Sequence, residues 1–137
     1  MSTSPTAALA RNAAALRASD ITEAVVRKMR QLVLDCLGNQ LGAYGEPQAQ
    51  LLYDALDVAC TAGDSTVVGY GTTTSALLAG CMNGMLAHML DMDDAHRDSL
   101  TKTGSAITPA VMAMGEAANA TGADVLRSAV AGYEVMI

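Results

Sequence analysis

The chain of 137 residues contains no tryptophan and no phenylalanine, and only four tyrosines. Proteins that bind single-stranded nucleic acid use aromatic side chains as platforms for base stacking. Basic residues are also few, since eight lysines and arginines oppose 14 acidic residues and leave a net charge of −6. Because phosphate neutralisation needs clustered basic side chains, the composition argues against nucleic acid as a partner.

Cysteine is scarce, and its spacing fits neither a disulfide framework nor a zinc site. Cys36, Cys60 and Cys81 lie in apolar stretches without a CxxC pair, which predicts buried thiols in a reducing compartment. We therefore expect a cytoplasmic protein. Residues 1–19 lack acids and contain two arginines, so mitochondrial import is retained as an alternative.

Charged residues are absent from residues 65–90, which makes a membrane span worth considering. The most apolar part of this stretch is shorter than the roughly 20 residues that a span requires, and Gly80, Asn83, Gly84 and His88 interrupt it. The pattern favours a buried central helix, and we expect no membrane partner. Gly80 and Gly84 lie four residues apart, so one face of this helix allows close approach of another helix.

Hydrophobic periodicity predicts an all-α fold, a bundle of about six helices forming a single domain over residues 1–137. Residues 1–19 are predicted to form an N-terminal helix or a flexible lead, and residues 20–137 the rest of the domain. The most regular pattern is that of the second helix, where apolar residues recur at a spacing of 3.6 up to Leu41. Four predicted helices cover about residues 5–17, 48–62, 107–120 and 122–137, with Pro109 near the start of the third of these. Another predicted helix runs from a cap within residues 19–23 to residue 41, and another begins at about residue 74. A short extended connection is predicted at residues 66–71.

The last predicted helix reaches Ile137 without a glycine cap or a basic residue in its final turn. This ending predicts that the folded unit is incomplete and continues elsewhere. Together with the face formed by Gly80 and Gly84, it predicts a homo-oligomer or a hetero-complex with a chain that supplies the missing part.

Residues whose side chains can take part in catalysis or binding are concentrated directly after the charge-free stretch. Both histidines and four of the 14 acidic residues lie within residues 88–98. Carboxylates at the end of a buried helix are costly unless a partner compensates their charge. Three interpretations follow from the residues: a solvated acidic loop, a Mg²⁺ or Mn²⁺ site, and the aspartate-rich motif of all-α prenyl-diphosphate enzymes. The spacing departs from that motif, and no second acidic motif follows.

The segment 82–94, with the sequence MNGMLAHMLDMDD, resembles the signature of the MmgE/PrpD family. That family includes 2-methylcitrate dehydratase, cis-aconitate decarboxylase and iminodisuccinate epimerase. Other segments resemble family landmarks in the same order. They are LDCLGNQLGA at 34–43, VVGYG at 67–71, Pro109-Ala110, Glu116 and GYEV at 132–135.

The resemblance implies that the chain corresponds to the amino-terminal helical domain of a larger fold, which an α+β domain follows. Family members act on small di- and tricarboxylates by proton transfer next to a carboxylate, without a metal or a cofactor. By the same resemblance, Asp91 matches the active-site aspartate, and Asp93 and Asp94 share its motif. His88 and Asn83 belong to the supporting signature. Alternatively, Asn83 caps or bridges buried backbone, and His88 is a buried imidazole with satisfied hydrogen bonds.

One departure from the family pattern concerns the loop that follows. Lys102-Thr103-Gly104 stands where family members usually have His-Pro-Gly or His-Pro-Ser, so a lysine replaces the expected catalytic histidine. Lys102 could bind a substrate carboxylate, act as an acid or base if burial depresses its pKa, or be a solvated loop lysine. Besides Lys102, only Arg97 and a protonated His96 are available locally to offset the carboxylates.

The sequence therefore predicts a cofactor-independent lyase or isomerase for small di- or tricarboxylates, as part of a split, truncated or oligomeric enzyme. The predicted catalytic residues are Asp91, Lys102, Asp93 and Asp94. The predicted substrate-binding residues are Asn83, His88, His96, Arg97, Thr103 and Gly104. A non-catalytic helical module that binds a partner through apolar, methionine-rich faces is the alternative. A metal-dependent all-α enzyme that uses the aspartate cluster is the third hypothesis.

Overall fold

A computed structural model describes residues 4–137 of the chain, and within them the fold is helical. This confirms the all-α class and the prediction of about six helices. The elements are α1 (Pro5–Ala15), α2 (Glu23–Ala43), α3 (Pro47–Ala55), β1 (Ser65–Val67), β2 (Thr72–Thr74), α4 (Ala76–Met89), α5 (Thr103–Ala117) and α6 (Gly122–Met136).

Hydroxyl side chains fix where several helices begin. The Thr22 hydroxyl accepts a hydrogen bond from the Val25 backbone N–H at the start of α2, inside the predicted capping window. The Ser75 hydroxyl does the same for Leu78 at the start of α4. Each cap satisfies a backbone N–H that has no partner within its helix.

Two predicted boundaries are wrong. The third helix ends at Ala55 rather than near residue 62, because Asp57 adopts a left-handed conformation with φ of 52° before a short 3₁₀ turn. Helix α5 begins at Thr103, four residues before the predicted start, so Pro109 lies inside the helix. Because proline has no backbone N–H, the Ser105 carbonyl lacks its usual helical donor.

Helices α4 and α5 form an antiparallel pair at the centre of the domain. A methyl group added at Gly84 would lie 3.0 Å from the Ser105 carbonyl oxygen, and one added at Gly80 would lie 3.6 Å from the Ala110 Cα. The face formed by Gly80 and Gly84 is therefore covered by α5 within the same chain and is not free for a partner. The main core gathers around this pair, with Ala43, Ala49, Val58, Val67, Ala79, Met82, Leu86 and Ala113 buried.

The prediction that α4 is buried on nearly every side is only partly right. Its outer stripe of Leu77, Cys81 and Met85 is exposed. Cys60 is exposed as well, so burial of the thiols is confirmed for Cys36 alone. Among residues 4–137, no helix has both the length and the apolar character needed to cross a membrane.

The predicted extended connection is a two-stranded antiparallel hairpin in which Ser65 pairs with Thr74 and Val67 with Thr72. Its turn requires glycine at residue 69, where φ is +86° and an added methyl group would lie 2.6 Å from the Tyr44 ring. The hairpin connects α3 to α4, and its two strands form the only sheet within residues 4–137.

Candidate active site

The site forms where the loop after α4 folds back onto the end of that helix. Asp91 starts the loop with φ of +52°, and its backbone N–H donates to the His88 carbonyl oxygen at 3.0 Å. His96 and Thr101 then pair through two backbone hydrogen bonds of 2.9 and 3.3 Å, which reverses the chain. Lys102 is thereby returned to the point at which α4 ends.

Lys102 connects two of the predicted catalytic carboxylates. Its Nζ donates to Asp91 Oδ1 at 2.7 Å and to Asp93 Oδ1 at 3.1 Å. The two carboxylates differ in environment, since the Asp91 side chain is 81% exposed and the Asp93 side chain 2% exposed. The structure thus brings together an exposed carboxylate, a buried carboxylate and one ammonium group.

The charges in this cluster stabilise one another. Hydrogen bonds to Asp91 and Asp93 hold the pKa of Lys102 above its ordinary value of 10.5, and the bond from Lys102 holds the pKa of Asp91 below 3.8. Burial acts to raise the pKa of Asp93, but interactions with Ser105, His88 and Lys102 outweigh burial and hold it below 3.8 as well. The condition under which Lys102 would serve as a base, a depressed pKa, is therefore not met.

His88 is the fourth member of this cluster. Its Nδ1 lies 3.0 and 3.1 Å from the two carboxylate oxygens of Asp93. The alternative that His88 is a buried imidazole is wrong, because its side chain is 55% exposed. The Nδ1 edge of the ring is therefore anchored on a buried carboxylate, while the rest of the ring remains accessible.

A divalent cation is the other chemistry that these groups allow. One donor atom from each of His88, Asp91 and Asp93 lies within 4.8 Å of the other two. Nitrogen and carboxylate donors of this kind suit Mg²⁺ or Mn²⁺. However, the Lys102 ammonium already contacts both carboxylates, so a cation of the protein's own occupies the position between them.

Asp94 makes no hydrogen bond to Lys102 among the described residues and instead joins two helices. Its Oδ1 accepts the Gly104 backbone N–H at 2.9 Å, and its Oδ2 accepts the Tyr133 hydroxyl at 3.0 Å. A side chain at residue 104 would overlap the Asp94 carboxylate, so glycine is needed there. Asp94 therefore anchors the start of α5 to α6, which differs from the catalytic role predicted for it.

A buried thiol lies next to this anchor. Cys36 Sγ lies 3.7 Å from the Gly104 carbonyl oxygen. Burial raises the pKa of Cys36 to about 12, and burial beside Asp94 raises the pKa of Tyr133. Both groups remain protonated at neutral pH. Sequence reasoning had assigned no role to either residue, although both lie in motifs that resemble the family.

Asn83 and Thr103 support the site from outside it. The Asn83 side chain accepts the Val68 backbone N–H at 2.9 Å and donates to the Thr66 carbonyl oxygen at 2.8 Å. Both ends of this amide are engaged with the hairpin, which favours the backbone-bridging alternative. Thr103 is buried at the start of α5, where its hydroxyl lies 3.0 Å from the Thr101 hydroxyl.

The remaining predicted binding residues lie in the reversed loop. His96 Nδ1 lies 2.8 Å from the Ser99 hydroxyl, so this ring is held by a neutral partner. Arg97 is exposed, and no ion pair to it occurs within residues 4–137. Neither side chain contacts Asp91, Asp93 or Lys102 in the described hydrogen bonds.

Comparison with known proteins identifies the family. The sequence profile of the MmgE/PrpD N-terminal domain matches residues 7–137. The chain belongs to the MmgE/PrpD family. It is also similar to a cis-aconitate decarboxylase-like protein of Aspergillus oryzae, with 26% identity over 126 residues that cover 87% of this chain and 26% of the relative.

The chain thus spans about a quarter of the length of this curated relative. No solved structure matches it. Together, the matched family and the decarboxylase-like name of the relative indicate that the family is of the lyase type.

Proposed function

We propose that this protein contributes an acid–base half-site to a cofactor-independent lyase or isomerase that acts on small di- or tricarboxylates. The reaction would proceed by proton transfer next to a substrate carboxylate, in a dehydratase, decarboxylase or epimerase. The observation that carries the proposal is the Lys102 ammonium shared between Asp91 and Asp93. Family membership supports the same class of chemistry.

In this proposal Lys102 binds a substrate carboxylate. Its ion pair with Asp91 is largely exposed, and such pairs add little stability because water solvates both ions well. An incoming carboxylate can therefore replace Asp91 on the ammonium while Asp93 remains in place. The exchange leaves the Asp91 carboxylate free to orient the substrate or to transfer a proton.

The local charge balance supports a site that is completed from outside these residues. Asp91, Asp93 and Asp94 oppose one ammonium group, that of Lys102. A di- or trianion held by Lys102 alone binds weakly, and further cationic donors would raise its affinity. We propose that these cationic donors come from another chain, in a homo-oligomer or a hetero-complex. Alternatively, they come from a further region that corresponds to the rest of the longer relative.

We also propose that the protein works in the cytoplasm. Cys60 and Cys81 are free and exposed, and exposed free thiols are most often found where the environment is reducing.

A partner-binding role without catalysis is the second candidate. The exposed side chains of Leu77, Cys81 and Met85 on α4 and Met114 on α5 favour it. The two functions differ in what they require of the acidic loop, because a docking module does not need Lys102 to bind a small acid.

Calorimetric titration of the protein with citrate and cis-aconitate tests the first proposal. We expect binding of at least one acid and a loss of tenfold or more in affinity for Lys102→Ala, since a charge-assisted hydrogen bond is removed. Lys28→Ala, a lysine of α2, is the matched control and should bind as the unaltered protein does. Absence of binding, or equal binding by Lys102→Ala, contradicts the proposal.

A further inference from the structure

We propose that His88, oriented by the buried carboxylate of Asp93, is the base that moves the proton in this site. The inference rests on the proposed function and extends it by naming the catalytic residue. It assigns His88 an active role, whereas the sequence suggested only support for the substrate or a structural imidazole.

The first step of the argument is the tautomer of His88. Both oxygens of Asp93 lie within 3.1 Å of Nδ1. Asp93 also accepts a hydrogen bond from the Lys102 ammonium, and its pKa is held below 3.8. An ionised carboxylate can only accept, so Nδ1 carries the proton and the lone pair of the neutral ring lies on Nε2.

The second step is access to that lone pair. The His88 side chain is 55% exposed, whereas the Asp93 side chain is 2% exposed. No hydrogen bond to Nε2 occurs among the described residues. In a Ser-His-Asp triad, a buried carboxylate orients in the same way the histidine that acts as acid and base.

The third step compares His88 with the other titratable groups that face it. Lys102 remains an ammonium because its pKa is raised, and Asp91 is a weak base because its pKa is lowered. Asp94 has both oxygens engaged by Gly104 and Tyr133. Of these groups, the imidazole is the one that offers an accessible nitrogen lone pair, at Nε2, to a substrate proton.

The chemical step is a proton transfer and needs no further reactant. A substrate carboxylate binds to Lys102, and the adjacent C–H bond breaks. The proton passes to Nε2 of His88, and the electron pair moves into the carboxylate to form an enediolate beside the ammonium. Asp93 stabilises the resulting imidazolium. In a dehydratase, the electron pair of the enediolate then forms the carbon–carbon double bond, the β-hydroxyl group leaves, and the imidazolium gives it the proton to form water.

Nitrogen-15 NMR of the imidazole rings tests the tautomer directly. We expect the neutral form of His88 to carry its proton on Nδ1, and Asp93→Asn to shift the population toward Nε2–H. Asp98→Asn removes an exposed carboxylate of the same loop and should leave the tautomer unchanged. A predominantly Nε2–H form in the unaltered protein, or no shift in Asp93→Asn, overturns the inference even if other variants fold poorly.

Chemical modification tests access and location. Diethyl pyrocarbonate should modify His88, and saturating citrate should slow that modification by tenfold or more without slowing modification of His96. An unreactive His88 overturns its role as a base. Rapid modification that citrate does not slow leaves the base intact but contradicts the carboxylate-binding function, so the two failures are distinguishable.

Discussion

The ammonium group of Lys102 lies 2.7 Å from a carboxylate oxygen of Asp91, although the two residues are separated by 11 positions in the chain. The contact depends on the backbone pairing of His96 with Thr101, which brings the loop back to the end of α4. It determines which residues of the acidic segment share a site.

Asp91→Asn should reduce kcat/KM of the completed enzyme by about 10²-fold, because the carboxylate that orients the bound substrate is lost. The fold should be intact, because the side chain is 81% exposed and asparagine tolerates the positive φ at this position. Turnover assays and far-UV circular dichroism measure the two effects. Asp98→Asn is the control, and equal activity of the two variants would contradict a role for Asp91.

Stability should depend on the Lys102 cluster at both ends of the pH range. The pKa of Asp93 is lowered in the folded state, so its contribution is present above pH 3.8 and is lost as the pH falls through the folded value. The pKa of Lys102 is raised, so its contribution is present below pH 10.5 and is lost as the pH rises through the folded value. Lys102→Met should weaken both dependences.

Urea midpoints measured between pH 2 and 6 and between pH 8 and 12 give the comparison for Lys102→Met. Lys28→Met provides a control for loss of a lysine from the surface of α2. Identical pH profiles for the unaltered protein and Lys102→Met would show that the ion pairs are absent in solution.

Chelator should change neither the melting temperature nor the activity of the protein. The ammonium of Lys102 contacts both Asp91 and Asp93, so no metal is needed to offset their repulsion. The metal hypothesis predicts the opposite, namely loss of activity with chelator and recovery with Mg²⁺ or Mn²⁺.

Asp94→Asn should lower the free energy of unfolding by about 1.5–3 kcal/mol, the usual contribution of hydrogen bonds to a charged group. Tyr133→Phe should cost about 1–2 kcal/mol, because it removes one of the two donors to Asp94. The two effects should be less than additive in the double variant, since they share a hydrogen bond. Denaturant unfolding measures all three, and simple additivity would contradict the anchor.

The helices were largely predictable because their signals are local. The period of the apolar residues and the Thr22 cap placed α2, and the paired glycines of α4 correctly indicated a close helix neighbour. The start of α5 was missed because proline normally marks a first turn. In the structure, the first turn of α5 is instead stabilised by the Asp94 carboxylate, which binds the Gly104 N–H.

The helical class, the family signature and the segment that carries the acidic residues follow from the amino-acid sequence alone. The separate environments of Asp93 and Asp94 depend instead on how the folded chain packs. These two carboxylates are adjacent in sequence, but one faces His88 and Lys102 while the other faces Tyr133, 39 positions away. Helix periodicity and caps act over a few residues, whereas these partners are chosen by the packing of the loop and α6 against α5, which no local pattern encodes.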